Sequence, residues 1–292
     1  MQHLSQDGDT VVLYHVNQER LGSFLQAPPQ ANAKLLRGVI IDTETTGLEA
    51  YDSTVIEVAV RSFDFDPISN RIARTQAEYT ALQEPPEPLS DKISKITGLT
   101  DGMLKGQSID WGVVHEVLSQ ADIVVAHHAD FDRKHVDSAV QKWNYAKSQQ
   151  QSWQRKVWAC TMDGLDWSSL NSPSKSLSVL CWMHGFFFPP HRAANDVDAT
   201  MMVLLASCKI SELYIRSQLP SFEVWAVKAH IDTKEMLKEY GFRWNAPEKT
   251  WVLQAATLQH AEEALLWMTD AVYGKAGNRA QIVRTENWQR FK

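Results

Sequence analysis

The chain has 292 residues, 44% of them hydrophobic and 22% charged, and carries a net charge of −6. Such a composition suits a soluble globular protein with one large domain, or a medium and a small one, whose core needs no disulfides. It argues against a protein held on nucleic acid chiefly by an overall basic field, and no stretch approaches the ~18 apolar residues of a membrane span.

Residues 1–34 read as an irregular extension, with residues 10–16 as an edge strand. The run LLRGVIID, residues 35–42, predicts a buried strand, and residues 54–63 and 71–82 predict two more β segments. Prolines exclude regular structure from residues 84–88. Helical patterning covers residues 90–118, and residues 123–126 predict a short buried strand. Residues 131–143 predict an amphipathic helix burying Val136, Ala139, Val140 and Trp143. A helix over 176–184 stops at Gly185, and residues 195–210 form the last helix of this domain. Strands first, then alternating helices and strands, predict an α/β domain over residues 35–212.

A second, small α+β domain is expected over residues 220–275. It has a strand at 224–229, a capping box between Asp232 and Glu235, and a stop at Gly241. Two short strands then flank Asn245-Ala246-Pro247-Glu248, with Trp244 and Trp251 stacking across the hairpin. A final helix over 255–273 turns Ala261, Ala264, Leu265 and Met268 inward. Residues 276–292 read as a flexible basic tail, with nucleic-acid binding as the other option.

The chemistry lies in three short segments. In Ile41-Asp42-Thr43-Glu44-Thr45-Thr46-Gly47 the two acids are two residues apart at a strand end, so period-two alternation puts both on one face. Close carboxylates repel unless a cation sits between them, and hard divalent ions prefer oxygen ligands. In His127-His128-Ala129-Asp130-Phe131-Asp132 an acid again follows a buried strand, where a helix begins. In His191-Arg192-Ala193-Ala194-Asn195-Asp196-Val197-Asp198 a loop histidine precedes an acid in a helix's first turn, and histidine suits a general base for water. A bare acid pair, a first-turn acid or a loop histidine each has a bland explanation. The ordered set is more specific, because separate elements then supply a two-metal site.

Residues 36–210 resemble the DEDDh exonucleases, the DnaQ-like group with an RNase H-like fold, a mixed sheet flanked by helices. The matching residues are Asp42 and Glu44 in DTETTGL, Asp132 in HHADFD, and His191 with Asp196 in HRAAND. The step from His191 to Asp196 favours Asp196 over Asp198, and the Phe-Asp pair favours Asp132 over Asp130. Ile93-Ser94-Lys95-Ile96-Thr97-Gly98-Leu99 resembles the segment between the group's first two motifs. One departure is His128, which stands where many members carry Asn.

The resemblance implies a 3′→5′ exonuclease with two Mg2+ or Mn2+ ions on Asp42, Glu44, Asp132 and Asp196. It implies His191 as the base that takes a proton from water, nucleoside 5′-monophosphates as products, and nucleic-acid 3′ ends as the partner. Thr43, Thr45, Leu48 and His128 are the implied contacts to the terminal nucleotide, Leu48 as a wedge. Single-stranded DNA is the expected substrate. A 3′→5′ exoribonuclease and a non-catalytic nucleic-acid-binding protein on this fold are the alternatives.

Other signals stay secondary. Cys160, Cys181 and His184 lack a fourth zinc ligand, and Cys208 stands apart. Phe186-Phe187-Phe188 reads as core. Trp143, Tyr145, Trp153 and Trp158 interleave with Lys147, Arg155 and Lys156, a pattern that suits either single-strand stacking or a solvated face. The N-terminus lacks signal-peptide regions and the cysteines show no framework, so a cytoplasmic, reduced setting is expected, with no membrane partner. Residues 234–246, with Lys249-Thr250-Trp251, resemble a small bacterial domain of uncharacterised role.

Overall fold

A computed structural model describes residues 3–4, 11–25, 33–142, 155–255, 257–274, 277 and 279–292. They form two compact units, residues 1–218 with 291–292 and residues 219–290. Trp143, Tyr145, Lys147, Trp153 and Lys275, singled out above or neighbouring such residues, lie outside the described residues.

The first unit is built on a five-stranded sheet. Its strands are β1 (Leu36–Thr45), β2 (Val55–Asp66), β3 (Arg71–Leu82), β4 (Ile123–Ala126) and β5 (Trp158–Cys160), in the order β3-β2-β1-β4-β5. β1, β2 and β3 run antiparallel as a meander, whereas β4 lies parallel to β1 and β5 parallel to β4. A parallel neighbour needs a crossover, and between β3 and β4 it contains α2 (Asp91–Thr97), α3 (Asp101–Leu104) and α4 (Trp111–Ser119). Residues 90–118 therefore hold three helices rather than one. Gly98 takes the left-handed cap that ends α2, and the Thr100 and Asp110 side chains cap the starts of α3 and α4.

Alternation along the strands divides the core between the sheet's two faces. Val39 and Ile41 join Val114, Leu118, Val136 and Val140 on the side of α4 and α5 (Ala129–Lys142). Ile40, Ile123 and Val125 join Leu180, Met201 and Leu205 on the side of α6 (Leu177–Met183) and α7 (Ala193–Ser207). β2 is buried along its whole length.

The expectation of an irregular extension is corrected. α1 (Gln18–Phe24), which precedes β1, is capped by the Asn17 side chain, and Val16 and Leu21 are buried in the face shared with α7. Tyr14–His15 pairs in parallel with Phe186–Phe187. These short stretches gain order from burial against α7, which local patterning does not report. The final helix ends at Ser207, and a further one, α8 (Ile210–Gln218), follows.

The second unit contains β6 (Ser221–Ala226), α9 (Lys234–Tyr240), β7 (Arg243–Asn245), β8 (Thr250–Ala255), α10 (Leu258–Met268) and β9 (Gln281–Thr285). Its antiparallel sheet has the order β7-β8-β6-β9. Phe222, Val224, Leu237, Phe242, Ala264 and Met268 make a separate core. Two expectations fail here. Residues 281–285 of the supposed tail are a strand, because main-chain bonds to β6 complete the sheet. Asp232 forms no capping box: a short 3-10 turn, Ile231–Thr233, precedes α9, and His230 accepts from the Asp232 N–H. Trp244 and Trp251 face each other across the hairpin, edge to face at 5.6 Å. No helix among the described residues is long and apolar enough to cross a membrane.

Candidate active site

β1 runs three residues past Asp42, because Glu44 still pairs with Glu57 and Thr45 with Val55. Asp42 and Glu44 thus project from a hydrogen-bonded strand, on the face that Ile40 shares with α7. α7 opens at Ala193, so Asp196 stands in its first turn. One carboxylate oxygen from each of Asp42, Glu44 and Asp196 lies within 4.8 Å of the other two. Asp132 joins from the first turn of α5 and is itself buried. The Thr43 amide and hydroxyl both donate to its Oδ1, at 3.0 and 2.9 Å, and fix its rotamer.

The electrostatics follow from the crowding. Burial strips water from the Asp42 carboxyl and, with repulsion from Asp132, Asp196 and Glu44, raises it well above the usual carboxylate range. Burial, then Asp196 and Glu57, pushes Glu44 up to about 8. Asp132 rises to about 7 through burial, against the lowering effect of the Thr43 bonds. Burial likewise raises Asp196 to about 6, opposed by the backbone N–H groups of Arg192 and His191. Acids crowded in this way ionise together only with a positive charge among them. An all-oxygen, half-buried donor set fits a hard divalent cation such as Mg2+ or Mn2+.

Two residues that sequence reading passed over complete the surroundings. Glu57, opposite Glu44 and fully buried, accepts a two-pronged ion pair from Arg192, with Nε and Nη2 each 3.0 Å from a carboxylate oxygen. It also accepts the Ala193 N–H at 3.1 Å. The signal was a lone acid inside the apolar run Val55-Ile56-Glu57-Val58-Ala59-Val60. Arg192 in turn donates its own N–H to Asp196 at 3.1 Å, and the Asn195 amide braces the Pro189 carbonyl at 2.9 Å. His191 is exposed and left-handed, with φ 65°.

The expected nucleotide contacts divide. Thr43 and Thr45 are buried with their hydroxyls donating inward, to Asp132 and to the Gly47 carbonyl, so neither hydroxyl's proton is left for a substrate. Leu48 stands 82% exposed beyond them. His128 is exposed and its ring lies parallel to Phe131, 6.0 Å away, while Phe131 meets His135 at 4.1 Å. The rival acids lead elsewhere: Asp130 pairs with Lys134, and Asp198 with Arg61 and Gln18. Trp158 is wholly buried near Arg133, which overturns the stacking role for that residue. Cys160 and Cys181 lie in the cores on opposite sides of the sheet, which removes the zinc option. Phe186 and Phe188 are buried, but Phe187 is 47% exposed, so the core reading fails for the middle residue, whose side chain points to the other face of its strand.

Residues 39–204 match the RNase_T exonuclease family. Among curated proteins, the chain is 30% identical over 169 residues to a PolC-type DNA polymerase III of Halalkalibacterium halodurans, covering 56% of this chain and 11% of that one. It is 29% identical over 177 residues to the PolC-type DNA polymerase III of Bacillus subtilis, covering 59% and 11%. The match thus spans about a tenth of the length of these relatives. Among solved structures it resembles exonuclease I in complex with an inhibitor, with TM-score 0.53, 11% identity and coverage of 79% and 67%. It also resembles the zinc-bound E. coli exonuclease I complex with single-stranded DNA, with TM-score 0.50, 15% identity and coverage of 87% and 66%. The fold of the first unit is accordingly the RNase H-like mixed sheet flanked by helices.

Proposed function

The chain belongs to the RNase_T family of exonucleases, DnaQ-like hydrolases, and from that premise we propose that it removes nucleotides one at a time from 3′ ends of single-stranded DNA. The observation that carries this reading is the convergence of Asp42, Glu44 and Asp196 beside the buried Asp132. These four carboxylates would hold divalent metal, two Mg2+ or Mn2+ ions. When bound, the ions polarise the attacking water and offset negative charge on the scissile phosphate and the leaving 3′ oxygen.

The chain's own residues do the rest. Thr43 keeps the Asp132 carboxylate aimed into the site. His191, exposed and five residues before Asp196, takes the proton of the attacking water. Leu48 and His128, both exposed, bear on the terminal nucleotide, the leucine by apolar contact and the imidazole by extending its stack with Phe131. Cleavage at the P–O3′ bond leaves phosphate on the departing unit, a nucleoside 5′-monophosphate. The PolC-type relatives are DNA polymerases by name, which favours DNA over RNA.

The test is digestion of 3′-labelled and 5′-labelled single-stranded DNA and RNA, with Mg2+, with EDTA, and with Asp42→Ala. Metal-dependent release of mononucleotides from the 3′ end, faster on DNA and absent in the folded variant, is expected. Full activity in Asp42→Ala would falsify the assignment, and faster RNA digestion would reassign the substrate.

A further inference from the structure

Glu57 and Arg192 have no part in the chemistry above, yet their contact is costly to build. A buried acid across from Glu44 adds to the repulsion on Asp42, Glu44 and Asp196. Packing alone would be served as well by an apolar residue, since buried ion pairs are weak sources of stability. Glu57 is also unsuited to be a metal ligand, because both its oxygens are taken by the Arg192 fork and the Ala193 N–H. What the pair does hold is main chain. It ties residues 192 and 193 to β2 immediately after His191, whose φ of 65° is uncommon for a non-glycine residue.

We propose that Glu57 and Arg192 are positioning residues: their fork anchors the left-handed turn that presents the His191 imidazole to the attacking water. The proposal rests on the exonuclease reading of this site. It requires the planar two-pronged contact, so lysine, a single-point cation, is no substitute for Arg192.

The experiment measures kcat and KM of the full chain with Mg2+ on a 5′-labelled single-stranded DNA oligonucleotide. Arg192→Ala, Arg192→Lys and the doubly neutral Glu57→Gln with Arg192→Gln are each made with His191 present and with His191→Ala. The double change leaves no orphaned buried acid, so it reports even where Arg192→Ala misfolds by circular dichroism. With His191 present, each should lower kcat by about 10–100-fold, the scale for groups that orient catalytic residues, with KM within about threefold. With His191→Ala the same changes should cost under about threefold, because the group being positioned is gone. Equal losses in both backgrounds, or unchanged kcat in the doubly neutral variant, overturn the positioning role while leaving the exonuclease reading intact. A wild-type chain inactive with every metal and substrate removes both.

Discussion

At the residue scale, the site's function and its instability have one source. Asp42, Glu44, Asp132 and Asp196 are acids whose burial and mutual repulsion raise their pKa values, to about 8 for Glu44 and about 7 for Asp132. An unfolded chain releases these protons near pH 4. Between the two values the folded form binds more protons, so this contribution to stability is complete below about pH 4 and is lost as pH rises through about 8. Without divalent metal, Asp42→Asn should therefore raise the thermal midpoint at pH 8 and change it little at pH 4. Added Mg2+ or Mn2+ should stabilise the wild type more than the variant. Melting curves at both pH values check this, and a gain independent of pH would discard the repulsion account. With His191 proposed as the base, His191→Ala should slow single-turnover cleavage by about 10²–10⁴-fold without moving the melting point. An unchanged rate would leave the proton to another base. The carboxylates were legible in the sequence because their spacing reports the elements that carry them. Glu57 and Arg192 were not, since their meeting across 135 positions depends on the register of β1 and β2 and on where α7 docks.

At the element scale, β1 does two things at once, holding the middle of the sheet and presenting two acids at its end. Its interior tolerates little change. Gly38 pairs with Phe63, whose ring lies where a Cβ at position 38 would stand. Gly38→Ala should cost about 1–3 kcal/mol by overpacking, read from denaturant midpoints at constant slope. A neutral result would mean that Phe63 has room to swing away. Four strands of this sheet, β1 to β4, were readable from β-rich composition and flanking turns; residues 71–82 and 123–126 match the predicted bounds. The breaks in residues 90–118 were less so, because the periodicity passes across Gly98 and the caps decide where each helix stops. β5 was missed because three residues in an aromatic and basic setting carry no strand period, and only pairing with β4 makes them one.

At the scale of the whole molecule, two units with separate cores predict separable behaviour. Leu237 is fully buried in the second core, so Leu237→Ala should destabilise that unit by about 2–5 kcal/mol. Metal-dependent hydrolysis at temperatures below its transition should stay within about threefold, the activity belonging to the other unit. Calorimetry with a parallel activity curve checks this, and a proportional loss of hydrolysis would mean that the units act as one. By itself the sequence determined the α/β class, the strands that carry the acids, and the acids Asp42, Glu44 and Asp196 that converge, because alternation and motif spacing are local properties. Only the tertiary structure decided that residues 14–24 belong to the core, that residues 281–285 complete a sheet, that Thr43 serves Asp132, and that Trp158 stays out of the site. Each of those outcomes depends on a partner distant in sequence, and burial against that partner outweighs any preference the segment has alone.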